Sequence, residues 1–143
     1  MLELLNPLTT YRGDLRYARY TQEVACLSSD SVGDPMCVRG DRVNGKWRVE
    51  RADPTQDAKM PAIGILISKS TPTVGVMQLF GPVVDVYTGL DLGVRAYMVG
   101  ASGISATPPS PGGGGYAWWQ HIGKPVASDV LLLLGDLSML RKK

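Results

Sequence analysis

The sequence predicts an all-β fold, a small β-barrel or sandwich of about eight to ten short strands with an extended N-terminal arm. Three observations support this. Between Pro61 and Leu134, short β-branched runs are divided by Gly and Pro at nearly regular intervals. Asn44-Gly45 lies between two alternating runs, a hairpin signal because both central positions of a type I′ turn need positive φ. The chain has 17 Gly and 10 Pro in 143 residues, which favours turns over long helices. Short strands of this kind must each bury one face, so they close into a barrel or stack as a sandwich.

In chain order, residues 1–21 form the arm and residues 22–143 a single β-domain. Asn6-Pro7 interrupts any helix through Leu2, Leu4, Leu5 and Leu8, and Tyr11, Tyr17 and Tyr20 interleave with Arg12, Arg16 and Arg19. Apolar groups left in water forgo burial worth roughly 1.5–3 kcal/mol each, so these side chains need a surface, on their own domain or on a partner. Glu23–Leu27 reads as the first strand, followed by a polar loop, a short apolar Met36–Val38 and the Asn-Gly hairpin. In its second arm Trp47 and Val49 share one face and Lys46, Arg48 and Glu50 the other, a half-buried strand. Residues 52–60 are polar loop with room for one helical turn. Strands are then expected at Ala62–Ser68, Val74–Phe80, Val83–Tyr87, Val94–Val99 and Ile104–Thr107. Pro108–Gly115 is irregular loop, Tyr116–Ile122 a strand, Gly123–Val126 a bend and Asp129–Leu134 a last buried strand, followed by a frayed or edge-associated tail.

Composition narrows the function classes. Net charge is +2, too mild to imply nucleic-acid binding. The longest pure aliphatic run, Val130–Leu134, is far short of the ~20 residues a membrane helix needs. No signal-peptide pattern opens the chain, so synthesis in a cytoplasm is expected. Two cysteines, Cys26 and Cys37, make no disulfide framework, and spacing alone does not say whether they pair.

Little in the chain suggests catalysis. His121 is the sole histidine, with no CxxC or HxxxH spacing near it, and reads as structural. Gly100-Ala101-Ser102-Gly103 is a turn, not a nucleophile elbow. Gly112–Gly115 lacks the Lys-Ser/Thr and following helix of a phosphate loop. Asp85, Asp91, Asp129 and Asp136 sit in or beside turns with nothing to pair them as acid and base. Arg12-Gly13-Asp14 and Arg39-Gly40-Asp41 are tripeptides that arise easily by chance. Residues 39–51 carry five basic and two acidic side chains, a solvated hairpin face or else an electropositive patch for an acidic partner. Trp118 and Trp119 are adjacent and should point to opposite faces, one into the core and one outward as an interface anchor or sugar platform. No metal or other cofactor and no enzymatic activity are expected.

The segments Val32-Gly33-Asp34-Pro35-Met36-Cys37-Val38, Val49–Asp53 and Pro61–Leu66, then Val83–Leu90, Tyr97–Gly100, Ile104–Pro109 and Ile122–Val126, together resemble a recurrent β-domain of tailed-phage structural proteins. The resemblance covers about residues 32–134; the glycine run at 112–115 and the Trp118-Trp119 pair depart from it. It implies a capsid decoration (cement) protein on the exterior of the virion that binds the major capsid protein, as a homotrimer with no nucleic acid or membrane partner, and stabilises the assembled shell. The arm would supply Leu2, Leu4, Leu5, Leu8, Tyr11, Arg12, Arg16, Tyr17, Arg19 and Tyr20, and the domain Trp118 and Trp119, to the partner surface. The alternative it implies is a tail or head fibre or adaptor component that binds a host receptor or glycan.

Overall fold

The structure is a computed structural model and describes residues 20–107, 118–133 and 140–141. Five strands form a closed barrel: β1 (Thr21–Ala25), β2 (Pro35–Val38), β3 (Trp47–Arg51), β4 (Gly64–Thr71) and β5 (Val74–Gln78), in the order β1-β3-β2-β4-β5. β1 closes it, pairing parallel with β3 and antiparallel with β5. A second sheet is built from β6 (Gly81–Val84), β7 (Tyr97–Gly100), β8 (Gly103–Ser105), β10 (His121–Ala127) and β11 (Val130–Leu133), in the order β6-β11-β10-β7-β8. β9 (Trp118–Trp119) and β12 (Leu140–Arg141) form a two-stranded ribbon, which gives part of the tail the edge association expected of it. The architecture is therefore all-β, with a barrel and a sheet in one chain.

The strands alternate, and the alternation produces two cores. Val24, Met36, Val49, Leu66 and Met77 point into the barrel with Cys26. The next residues along, Cys37 on β2 and Ile65 on β4, point outward and join Val83, Tyr97, Val99, Ile122, Leu131 and Leu133 of the second sheet. The outer wall of the barrel is thus one face of a second apolar layer. Gly64 lets β4 approach β5: a Cβ there would stand 2.5 Å from the Gln78 carbonyl oxygen and 2.8 Å from Met77 Cγ.

The Asn-Gly hairpin forms as expected, with Asn44 at φ 52°, Gly45 at φ 77° and Val43 bridged to Lys46. One 3-10 turn, Asp57–Lys59, occupies the polar loop. Five expectations need correcting. The first strand, expected at Glu23–Leu27, runs from Thr21 to Ala25. The expected Val83–Tyr87 strand stops at Val84, because Asp85 adopts φ 63° and donates its N–H to the Asp129 carbonyl. The expected Val94–Val99 strand begins only at Tyr97, since Val94 closes a turn on the Asp91 carbonyl. The expected Tyr116–Ile122 strand breaks at Gln120, and the expected bend at Gly123–Val126 is strand, part of β10. Pro125 fits there because, among the described residues, β10 pairs with β7 only at His121 and Gly123, so no β7 ladder partner needs a donor from Pro125. The Pro108–Gly115 loop lies outside the described residues.

Polar side chains lock the connections between layers. The Tyr87 hydroxyl donates to the Gly33 carbonyl at 2.6 Å, joining the loop before β2 to the segment after β6. Asp30 accepts from the N–H groups of Leu27 and Arg51, and Asp34 from that of Ser31. Lys69 Nζ donates to the carbonyls of Leu27 and Asp30. The Gln120 amide, fully buried, clasps the Ala62 peptide unit: Oε1 accepts from its N–H at 2.8 Å and Nε2 donates to its carbonyl at 2.7 Å. This clasp ties the loop before β4 to the junction of β9 and β10.

Candidate protein-interaction site

Of the arm residues, Tyr20 falls within the described residues; Leu2, Leu4, Leu5, Leu8, Tyr11, Arg12, Arg16, Tyr17 and Arg19 lie outside them. Tyr20 continues the β1–β5 ladder by one step, its carbonyl accepting from Leu79 N–H at 2.8 Å. Its ring stacks on Phe80, with centroids 5.9 Å apart and planes inclined by 16°. The two rings remain 50% and 40% exposed, an aromatic step on the surface where residue 20 enters the barrel. Phe80 carried no signal in the sequence beyond its position at a strand end, because its partner is remote in the chain.

The two tryptophans do not divide into one core and one exposed residue: both are half-buried. The reason is their place in a two-residue strand at the margin of the fold rather than in a long central one. Trp118 Nε1 donates to Asp57 Oδ1 at 2.7 Å, and Trp118 N–H donates to the Pro54 carbonyl. Trp119 Nε1 is buried and has no hydrogen-bond partner among the described residues. These contacts brace β9 on the 3-10 turn, so Trp118 has a structural task that its sequence position did not reveal.

The basic stretch becomes a defined surface at one end of the barrel. Arg39, Lys46 and Arg48 line a cleft of about 450 Å³ together with Ala25, Leu27 and Val74. Val38, Trp47 and Ile63 line a second pocket of about 320 Å³, with Asp41 and Arg42. The cation run was visible in the sequence. The contributions of β1 and of the β4–β5 turn were not, because barrel closure brings them there. Arg39-Gly40-Asp41 lies in a bend, whereas Arg12-Gly13-Asp14 lies outside the described residues.

The two thiols are shielded from solvent. Cys26 and Cys37 are free and buried. Burial, reinforced by Glu50, pushes the Cys37 thiol up to about 11, and burial likewise raises that of Cys26. Both stay protonated and act as small apolar groups. Burial raises the Asp34 carboxyl and the Tyr87 phenol above their ordinary ranges. At Asp53, burial is outweighed by hydrogen bonds from Thr55 and Gln56, which lower it. His121 is exposed on β10. Among the described residues no group of three or more His, Cys, Asp or Glu is arranged to hold a metal ion, and no helix is long and apolar enough to cross a membrane. No protein-family model, curated protein or solved structure matches the chain significantly.

Proposed function

We propose that this chain is a phage capsid decoration protein that binds the outside of the head and stabilises the assembled shell. The observation that carries the reading is the aromatic step of Tyr20 on Phe80, which presents apolar surface where the Leu- and Tyr-rich arm joins a rigid barrel. A segment anchored by a ladder hydrogen bond and a stacked ring starts from a fixed point, which lowers the entropy cost of docking what lies before it. The 19 residues before Tyr20 span at most about 65 Å when extended, enough to reach across a neighbouring subunit. Burial of Leu2, Leu4, Leu5 and Leu8 on the major capsid protein contributes roughly 1.5–3 kcal/mol per side chain before ordering costs. A ligand that recognises only the assembled state stabilises that state by mass action. A trimeric arrangement multiplies the arms on one site and raises avidity.

The adaptor reading, with glycan bound on Trp118 or Trp119, has less support, because the Trp118 indole N–H is engaged by Asp57. Co-sedimentation with expanded shells tests the decoration reading, using the full chain and a variant lacking residues 1–19, which retains Tyr20 and its ladder bond. The full chain is expected to pellet with shells and the truncated chain to stay in the supernatant. Failure of the full chain to pellet, or equal pelleting of both, refutes the mechanism.

A further inference from the structure

The connector between β2 and β3, residues 39–46, contributes to both the cationic cleft and the neighbouring pocket, where Val38, Trp47 and Ile63 supply an apolar wall beside Asp41 and Arg42. Trp47 and Arg48 are consecutive on β3, so they face opposite ways. Trp47 packs against the inner core and lines the apolar pocket; Arg48 lies beside Ala25, its register partner on β1, in the cleft. The residues lining the cleft include three cations and no carboxylate. Arg39 is oriented by its Nε, which donates to the Val49 carbonyl at 3.3 Å, while its terminal nitrogens form no ion pair among the described residues. Arg48 also lacks an ion pair there, and Lys46 has only Glu23, at 3.7 Å.

We propose that this end of the barrel docks an acidic, extended protein segment. Its carboxylates pair with Arg39, Arg48 and Lys46, and a neighbouring apolar side chain enters the pocket formed by Val38, Trp47 and Ile63. Arginine favours such a role because its planar fork meets a carboxylate through two hydrogen bonds. Charge complementarity selects the acidic partner, and the apolar pocket alongside selects a polypeptide over a nucleic acid. A continuous phosphate backbone would also run against Glu23 and Asp41, which stand beside Lys46 and Arg42, whereas separate carboxylates avoid them. This inference goes beyond shell binding by the arm, and its test needs no shells.

The test is fluorescence anisotropy of the full chain with a short fluorescein-labelled peptide alternating aspartate and leucine. Controls are the same peptide with asparagine for aspartate and a labelled single-stranded oligothymidylate. The acidic peptide is expected to bind saturably and more weakly as salt rises. Its affinity should fall about tenfold or more in an Arg39→Gln/Arg48→Gln variant. Lys124→Gln, which removes an exposed cation from β10, should leave affinity unchanged. Absent or equal binding of the acidic and asparagine peptides overturns the proposal even if the arginine variants fail to fold. Tighter binding of the oligothymidylate, or undiminished binding by a folded double variant, also overturns it.

Discussion

The barrel interior and the layer outside its wall solve the same packing problem with different residues. The interior is narrow, and its six buried side chains include Met36, Met77 and Cys26. Unbranched, polarisable methionines suit the irregular gap inside a five-stranded barrel. The outer layer is broader: Ile65, Val83, Val99, Ile122, Leu131 and Leu133 meet around Ala52, Ala62 and Tyr97. Neighbouring residues Ile65 and Leu66 are both fully buried yet belong to different cores. A strand buried on both faces must be apolar at successive positions, which explains the nearly continuous run at the start of β4. The wall between the cores is one strand thick, so damage to either layer should be felt by the other.

The most severe challenge to that coupling is truncation on each side of β4. Ile65→Ala and Leu66→Ala should each destabilise by about 2–5 kcal/mol, and each should leave a single cooperative urea transition. Two transitions in the Ile65→Ala variant would show that the sheet and barrel unfold separately. A slightly smaller loss should come from the seam. Gln120→Leu leaves the Ala62 N–H and carbonyl unpaired in a buried site and should cost about 2–4 kcal/mol. A loss below about 1 kcal/mol in the same urea assay would mean that this clasp does not couple the layers.

The smallest effect is a pH dependence that distinguishes the two faces of the wall. The folded chain holds the Cys37 proton up to about 11, above the ordinary thiol value of 9.0. Between those values the unfolded chain has released a proton that the folded chain retains, so raising the pH favours unfolding. The stability from this group is fully present below about pH 9 and is lost as the pH rises through about 11. Cys26, in the inner core, is raised too and adds in the same direction. Urea midpoints should therefore fall across that window, and Cys37→Ala should make the fall shallower. An unchanged slope in Cys37→Ala would assign the alkaline loss to other groups, Tyr87 among them.

Local chemistry was the legible part of this chain. Asn44-Gly45 could be read as a type I′ turn because its requirement for positive φ is met by those two residues alone. The alternation of Trp47 and Val49 with Arg48 likewise separated an inward from an outward face. The all-β class follows from these local preferences summed along the sequence. Tertiary structure decided what depends on remote partners: the closure of β1 onto β3 and β5, the grip of Gln120 on Ala62, and the stacking of Tyr20 on Phe80. It also turned the expected bend at Gly123–Val126 into strand, since β11 supplies a ladder there while β7 leaves Pro125 unopposed. The physical reason is range. Backbone preference acts over a few residues and marks where strands begin and turn, whereas pairing and burial depend on which surfaces folding brings together.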